Sequence, residues 1–357
     1  MVLGAVYNLT GSQAELDIAS SRGARLAVDE ANRDGGVLGR PVRLVLEDGE
    51  SRPEVIAART AAALAGAPSM SALFGLSDTD MVLAAAPVAA KQRRLFLTSG
   101  ATSPLLPAEV PEYLFLACFG DNVQAAAAAE WAYHDLGART VSVLFNANSS
   151  YTRLLHGYFQ TRFTELGGRL VSVESYTPGD IGSAVGRLGK ADIVFVAAVP
   201  EDVVEAVRLL RSAGIAVPIV GGDGFDLRDG WRDHPDIGRV FFTTHAYLGA
   251  DNPDPRVTAF RDAYIAAYPG SVPDAFAALG YDAARLLIAA VAAAGSPDPQ
   301  AVREALAGIR RFEGDTGTIG YPPGSRIPTK SVTILEIDNG RRTLVRTLSP
   351  TSVPPPR

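Results

Sequence analysis

The chain has 357 residues, of which 47% are hydrophobic and 20% are charged, and its formal net charge is -6. A single hydrophobic core rarely grows to this length, so we expect two domains of a folded α/β protein. The charge is mildly negative and the basic residues are scattered. Nucleic acid and an anionic membrane surface are therefore excluded as partners, because both require clustered Lys and Arg.

Strand-like and helix-like patterns alternate from the first residues onward, which is typical of doubly wound parallel sheets. The first series is predicted as strand 2–7, a helix with the apolar face Ala24, Ala27, Val28 and Ala31, strand 42–47, helix 53–65, strand 71–75, helix 81–91 and strand 95–97. The second series is predicted as strand 114–117, helix 123–136, strand 141–145, helix 151–166, strands 170–173 and 193–197, helix 201–213 and strand 219–220. Two similar series in tandem predict two similar lobes.

The remaining residues follow a looser pattern. Strand 240–244 is followed by helices 252–268 and 274–294. The last predicted strands, 332–337 and 343–346, flank the hairpin turn Asp338-Asn339-Gly340. We expect the tail, residues 354–357, to be disordered.

Two loops rich in hydroxyl groups follow predicted strands of the first series. Ser77 and Thr79 lie in one loop, and residues 100–102 (Gly100, Ala101 and Thr102) lie in the other. Both loops open at the carboxyl edge of one sheet, where their hydroxyls and free backbone N–H groups suit a carboxylate or phosphate. The alternative is that they only cap helices, the role we expect for Asp78 and Asp80, which would repel an anion.

No pattern in the sequence is typical of a catalytic or metal site. The four His residues lack metal-ligand spacing, and the single cysteine, Cys118, is predicted to be a small core residue. The sequence thus predicts a protein without cofactor or metal that binds its ligand unchanged and is not an enzyme. No apolar stretch reaches the ~18 residues that span a bilayer. No leader precedes the first strand, so either the protein is cytoplasmic or a leader has been removed.

Several runs carry a family resemblance through their order and spacing. They are residues 3–6, 9–11, 23–28, 32–44, 98–102, 221–224 and 278–284. Together they resemble the branched-chain amino-acid (Leu/Ile/Val)-binding proteins, which are type I periplasmic (extracellular) solute-binding proteins of ABC importers.

The resemblance implies two doubly wound lobes joined by a three-segment hinge, with the ligand closed between them. Lobe one would comprise residues 1–118 and 250–329 and would grip a carboxylate. Lobe two would comprise residues 119–249 and 330–357 and would close on it. The implied partners are a small-molecule ligand and the permease subunits of an importer, without insertion into the membrane. The implied location is periplasmic or extracellular, or cytoplasmic if the native gene encodes no leader.

The resemblance also implies roles for individual residues. The loop Gly100 to Thr102 and the Thr79 hydroxyl would bind the α-carboxylate of the ligand. Asp223 would pair with its α-ammonium group, although a turn aspartate before Gly224 is the alternative. Tyr151 would face the ligand, or else be an ordinary aromatic residue at a helix start.

Departures from the family pattern concern the pocket for the ligand's side chain. Leu16 and Val199 stand where many members carry aromatic residues, which implies a roomier or more apolar pocket for a large aliphatic or aromatic ligand. Four further residues are candidate pocket walls, and each is equally compatible with surface or core: Asp121, Gln124, Tyr247 and Phe276.

We therefore expect the substrate-binding component of an ABC importer for an amino acid or similar small carboxylate. One alternative is an aromatic-carboxylate (benzoate-like) binding protein, in which Asp223 has no ammonium partner. Another is a cytoplasmic amide or amino-acid sensor of the same fold. An enzyme, such as a transferase that uses a bound anion, is the least favoured, because it needs a facing base and nucleophile.

Overall fold

The computed structural model describes residues 1–227 and 230–357. Contacts within the chain divide it into two compact units. Unit 1 comprises Met1–Phe119 and Ala250–Lys330, and unit 2 comprises Gly120–Gly249 and Ser331–Arg357. The chain thus passes from one unit to the other three times.

The elements follow one another in the alternating order that the sequence predicts. The first part of unit 1 contains β1 (Val2–Tyr7), α1 (Ala14–Arg33), β2 (Arg43–Asp48), α2 (Pro53–Gly66), β3 (Met70–Gly75), α3 (Thr79–Lys91), β4 (Phe96–Thr98), α4 (Leu106–Glu109) and β5 (Leu114–Leu116). The first part of unit 2 contains α5 (Asp121–His134), β6 (Thr140–Asn146), α6 (Ser150–Glu165), β7 (Arg169–Tyr176), α7 (Ile181–Arg187), β8 (Ile193–Ala197), α8 (Pro200–Ser212), β9 (Ile219–Gly221), a 3₁₀ turn (Asp223–Phe225) and β10 (Val240–Thr244).

The remaining elements complete both units. Unit 1 gains α9 (Pro255–Ala267), α10 (Ala275–Ala294), α11 (Pro299–Gly308), β11 (Phe312–Gly314) and β12 (Gly317–Ile319). Unit 2 gains β13 (Val332–Asp338) and β14 (Arg341–Leu348). Asn339 and Gly340 both have positive φ between these strands, as the predicted hairpin turn requires.

The main sheet of unit 1 has the order β2-β1-β3-β4-β5, and all its strand pairs are parallel. Side chains alternate between its two faces. Leu3 and Tyr7 of β1 pack into the core beneath α1 and α10, whereas Val6 packs into the core beneath α2 and α3. Both faces are covered, which is why the strands are continuous apolar runs. Cys118 lies fully buried in this unit, as predicted.

Helices α1 and α10 of unit 1 contact each other through their backbones. A Cβ atom on Gly23 would lie 1.9 Å from the Ala277 carbonyl oxygen, and one on Gly280 would lie 1.9 Å from the Ser20 carbonyl oxygen. No side chain fits in that space. The two glycines therefore set the distance between the helices that cover one face of the sheet.

The sheet of unit 2 has the order β14-β13-β10-β9-β8-β6-β7. The strands from β10 to β7 are parallel, whereas the final hairpin β13–β14 adds to β10 in the antiparallel sense. The carboxyl ends of β6, β8, β9 and β10 therefore meet at one edge, where the candidate residues of this unit lie.

Three details of the sequence interpretation are wrong. The elements α4, α7, α11, β11, β12 and the 3₁₀ turn were not predicted, because each is short. The tail is ordered: Asn122 donates to the Pro354 carbonyl oxygen at 2.9 Å, and Tyr158 donates to that of Arg357 at 3.2 Å. Finally, one apolar stretch does reach the length that spans a bilayer. Helix α10 is long and apolar enough, but 72% of its apolar stretch is buried inside the structure.

Candidate functional site

The two hydroxyl-rich loops of unit 1 lie side by side, as predicted from their positions after neighbouring parallel strands. Gly75 at the end of β3 pairs with Thr98 at the end of β4. The Thr98 hydroxyl donates to the Leu76 carbonyl oxygen at 2.9 Å, and the Ser99 N–H donates to that of Gly75 at 3.0 Å. These bonds fix one loop against the other.

Gly100 is the point of contact between the loops. A Cβ atom there would lie 3.1 Å from the Ser77 side chain and 3.3 Å from the Phe276 ring. Phe276 belongs to the same buried apolar cluster as Leu16 and Ala101. Unit 1 thus places Ser77 and Phe276 beside Gly100, and Leu16 and Ala101 belong to the same apolar cluster as Phe276.

The expectation of free backbone N–H groups in the second loop is partly wrong. The Ala101 N–H donates to the Thr98 hydroxyl at 3.0 Å, and the Gly100 N–H donates to the Leu76 carbonyl oxygen at 3.3 Å. The backbone of this loop therefore uses part of its donor capacity internally. We expect side-chain hydroxyls to contribute more of the anion contacts than the sequence suggested.

The start of α3 presents a hydroxyl group without a protein partner. Asp78 caps the helix as predicted, accepting from the Asp80 N–H at 2.9 Å and the Met81 N–H at 3.1 Å. Asp80 instead lies within the first helical turn. Thr79 is the first helical residue, and its buried Oγ1 atom has no hydrogen-bond partner among the described residues. A buried hydroxyl is costly unless it is satisfied.

A carboxyl group that sequence reasoning missed lies behind these loops. Asp17, in the first turn of α1, is fully buried, and its Oδ2 atom accepts from the Asn8 N–H at 2.8 Å. Burial raises the pKa of Asp17 to about 7, although the hydrogen bond from the Asn8 N–H and the nearby Ser77 hydroxyl lower it. The only sequence signal was an acidic residue in the helix that follows the first strand.

Unit 2 places Asp223 in a buried hydrogen-bonded cluster at the carboxyl end of β9. Its Oδ1 atom accepts from Gln124 Nε2 at 2.8 Å and from the Tyr151 hydroxyl at 2.9 Å. Its Oδ2 atom lies 3.2 Å from His245 Nε2. Burial and the Asp223 carboxylate hold the pKa of Tyr151 well above its usual value, so Tyr151 acts as a donor.

Gln124 orients the same cluster from α5. Its Nε2 atom also donates to Asp121 at 2.9 Å, and its Oε1 atom accepts from Thr243 at 2.8 Å and from the Asp223 N–H at 3.2 Å. Residues at the ends of β9 and β10, together with residues of α5 and α6, therefore fix the position of the Asp223 carboxylate. Gln124 and Asp121, which sequence reasoning could place only as possible walls, are internal parts of this network.

The other two candidates of unit 2 lie outside the hydrogen-bonded cluster. Val199 is half-buried after β8 and caps α8. Tyr247 is half-buried after β10 and packs on the neighbouring apolar cluster. His245 was missed because a lone histidine after a strand has no spacing signal. Among the described residues, no group of three His, Cys, Asp or Glu side chains could hold a metal ion.

The two units thus present complementary chemistry. The loops of unit 1 offer small hydroxyl groups at a helix start, which stabilise an anion. The cluster of unit 2 offers a positioned carboxylate, which stabilises a cation.

Known proteins are similar to the chain over nearly its whole length. A family model described as periplasmic binding protein matches residues 1–342. Leu/Ile/Val-binding protein homolog 3 of Brucella melitensis is 27% identical over 349 residues, which cover 96% of this chain and 92% of that protein.

Solved structures give the same result. The branched-chain amino acid transporter substrate binding protein LivJ from Streptococcus pneumoniae, in complex with isoleucine, has a TM-score of 0.89 and 26% identity, with 98% of this chain and 99% of that chain covered. The leucine binding protein LivK from Thermotoga maritima has a TM-score of 0.87 and 28% identity, with the same coverage. These similarities confirm the fold class and the resemblance that the sequence indicated.

Proposed function

Because the chain belongs to the periplasmic binding protein family, we propose that it binds an amino acid or similar small carboxylate and delivers it to the permease of an ABC importer. The observation that carries this proposal is the pair of opposite chemistries in the two units. A zwitterionic α-amino acid has one anionic end and one cationic end, which match the hydroxyl-rich loops and the Asp223 cluster. The relatives named above are described by their binding of Leu, Ile or Val, which supports an amino acid as ligand.

In this proposal unit 1 is the carboxylate-binding lobe and unit 2 is the closing lobe. Ser77, Thr79 and the loop from Gly100 to Thr102 bind the α-carboxylate, and Asp223 with Tyr151 binds the α-ammonium group. A hydrogen bond to a charged group contributes about 1.5–3 kcal/mol, so a few such bonds supply much of the roughly 8 kcal/mol of a micromolar site.

The apolar candidates define the class of side chain. Leu16 and Phe276 lie with Ala101 in one apolar cluster of unit 1, next to the carboxylate loops. We propose that these residues, with Val199, Tyr247 and Asp121 from unit 2, contact the remainder of the ligand. The predominance of apolar groups favours a large aliphatic or aromatic side chain.

The cellular role follows from the same proposal. In this proposal the protein acts outside the cytoplasm, in the periplasm or at the cell exterior, and the description of its family as periplasmic binding proteins supports this location. It releases its ligand chemically unchanged and is not an enzyme. It recognises permease subunits and does not insert into the membrane.

Isothermal titration calorimetry with a panel of amino acids tests the proposal directly. We expect micromolar or tighter binding of leucine or isoleucine, and no heat with glucose or an uncharged amide. Tight binding of an uncharged compound without binding of any amino acid would contradict the proposed ligand class.

Thr79→Val is expected to weaken leucine binding by about 10- to 100-fold, because it removes one hydrogen bond to the ligand carboxylate. The unfolding temperature should stay the same or rise, since the Thr79 hydroxyl has no partner among the described residues. Thr60→Val is the matched control, because Thr60 is also buried but its hydroxyl donates to the Ile56 carbonyl oxygen at 2.7 Å. Equal affinities of both variants would exclude Thr79 from the site.

A further inference from the structure

Asp17 is a fully buried acid directly behind the loops that we assign to anion binding. Its Oδ2 atom accepts from the Asn8 N–H at 2.8 Å, which holds the carboxyl in place. The Asp17 Oδ1 atom and the Ser77 Oγ atom next to it are buried, and neither has a hydrogen-bond partner among the described residues. Ser77 in turn lies against Gly100, where an added Cβ would be 3.1 Å from the Ser77 Oγ atom. One serine therefore connects the buried acid to the loop surface.

The titratable groups around Asp17 are few. Tyr7 of β1 faces it, with its hydroxyl 3.0 Å from Ser99 Oγ, and burial keeps Tyr7 neutral by raising its pKa. Asp78, in the loop after β3, adds a negative charge that raises the pKa of Asp17. Glu15, on α1 itself, is exposed.

The titratable groups of α10, which packs against α1, bond to other residues. Tyr281 donates to Glu30 at 2.5 Å, Asp282 accepts from Thr316, and the capping Asp274 accepts from the Ala277 N–H at 2.8 Å. Arg285 of the same helix lies 3.6 Å from Asp315. Among the described residues, none of the groups that shift the pKa of Asp17 is a cation that would stabilise its ionised form.

We propose that Asp17 is a positioning residue for anion binding, whose carboxyl group takes up a proton when a carboxylate binds to the Ser77 and Gly100 loops. This inference rests on the proposed function of those loops. When Asp17 is ionised, Ser77 donates its proton to Asp17 and is unavailable to the ligand. When Asp17 is neutral, its own O–H donates to Ser77, and the Ser77 hydroxyl donates to the ligand carboxylate. A neutral Asp17 also does not repel the anion.

The direction of the pH dependence follows from this exchange. Binding of the anion is linked to binding of a proton, so affinity is highest where Asp17 is protonated and falls as pH rises through about 7. The α-carboxylate and α-ammonium groups of leucine keep their charges across this range. The change in affinity therefore arises in the protein.

The test is calorimetric titration of L-leucine into the wild-type protein and Asp17→Asn at about pH 6 and about pH 8. The amide of asparagine is a permanent donor to Ser77 and imitates the neutral acid. We expect wild-type affinity to fall by up to about tenfold between the two pH values, and the affinity of the variant to stay constant. At intermediate pH, titrations in phosphate and Tris should show uptake of up to about one proton by the wild type and none by the variant.

Asp315→Asn is the matched control, because burial also raises the pKa of Asp315 to about 7 but this residue lies in the β11–β12 turn, 3.6 Å from Arg285. The affinity of Asp315→Asn for leucine should depend on pH in the same way as that of the wild type. Equal pH profiles of wild type and Asp17→Asn, no proton uptake by the wild type, or affinity that rises with pH would each overturn the inference.

The ligand-free proteins distinguish failure of this inference from failure of the proposed function. Because the folded pKa of Asp17 is raised, its stabilising effect is complete below about pH 4 and is lost as pH rises through about 7. The unfolding temperature of the wild type should thus fall relative to Asp17→Asn over that range. No binding of leucine or isoleucine at either pH would refute the proposed ligand, whereas parallel unfolding profiles would refute the role of Asp17.

Discussion

Asp223→Asn is expected to weaken leucine binding by at least about 100-fold, because the ligand's ammonium group would lose the only carboxylate that the proposal assigns to it. The carboxylate is buried and accepts from Gln124 and Tyr151 on one oxygen, with His245 beside the other. An asparagine carbonyl can keep the first two bonds. The substitution therefore removes the charge and leaves the cluster largely connected.

A ligand without an ammonium group shows how much of the lost affinity comes from the interaction between Asp223 and that group. 4-Methylpentanoate has the carbon skeleton and carboxylate of leucine, so Asp223→Asn should change its affinity little. Calorimetry with both ligands and both proteins completes a thermodynamic cycle, which gives the coupling between Asp223 and the ammonium group. An equal loss for both ligands would mean that Asp223 acts structurally. An unchanged affinity for leucine would favour the alternative of a simple aromatic acid as the natural ligand.

Gly280→Ala is expected to destabilise the protein by about 3 kcal/mol and to lower its unfolding temperature by about 4 °C. The added Cβ would lie 1.9 Å from the Ser20 carbonyl oxygen and 2.6 Å from its carbon atom. Both contacts are with backbone, which cannot turn away as a side chain can. Helix α1 would have to move off α10, and the apolar contacts beneath both helices would loosen.

Gly157→Ala is the matched control in differential scanning calorimetry. Gly157 lies within α6, and nothing is within 4 Å of the position where its Cβ would be. Alanine there should stabilise the helix by about 0.5–1 kcal/mol. Gly23→Ala repeats the test from the other helix, because its Cβ would meet the Ala277 carbonyl oxygen. If Gly280→Ala and Gly157→Ala unfold at the same temperature, the backbone contact does not limit the helix spacing.

Local patterns were sufficient to predict most of the fold. The apolar runs that became β1, β3, β4, β8 and β10 reflect burial on both faces of a sheet. Such a run is visible in a few consecutive residues of the sequence. The turn at Asn339 and Gly340 was likewise encoded by the two residues that adopt positive φ. Short elements such as α7 and α11 carry too few periods to be distinguished from loops.

Only part of the candidate sites could be predicted, because some of their contacts join residues that are far apart in the sequence. The loops of unit 1 could be paired, because adjacent parallel strands end at the same edge. The internal use of the Ala101 N–H depends on the Thr98 rotamer, and the cluster of Gln124, Asp223 and His245 joins residues far apart in sequence. Burial of Asp17 likewise depends on tertiary packing. The spacing of apolar residues along the sequence carries no information about contacts between residues that are far apart in the chain.

The contact between α1 and α10 also governs the order in which the chain can fold during synthesis. Glu30 and Tyr281, which hydrogen-bond across these helices, are 251 residues apart. At typical ribosomal rates of about 5–20 residues per second, α1 waits for tens of seconds before α10 emerges. Throughout that interval the apolar face of the nascent sheet beneath α1 stays incompletely covered. The core beneath α1 is therefore complete only after α10 has been synthesised.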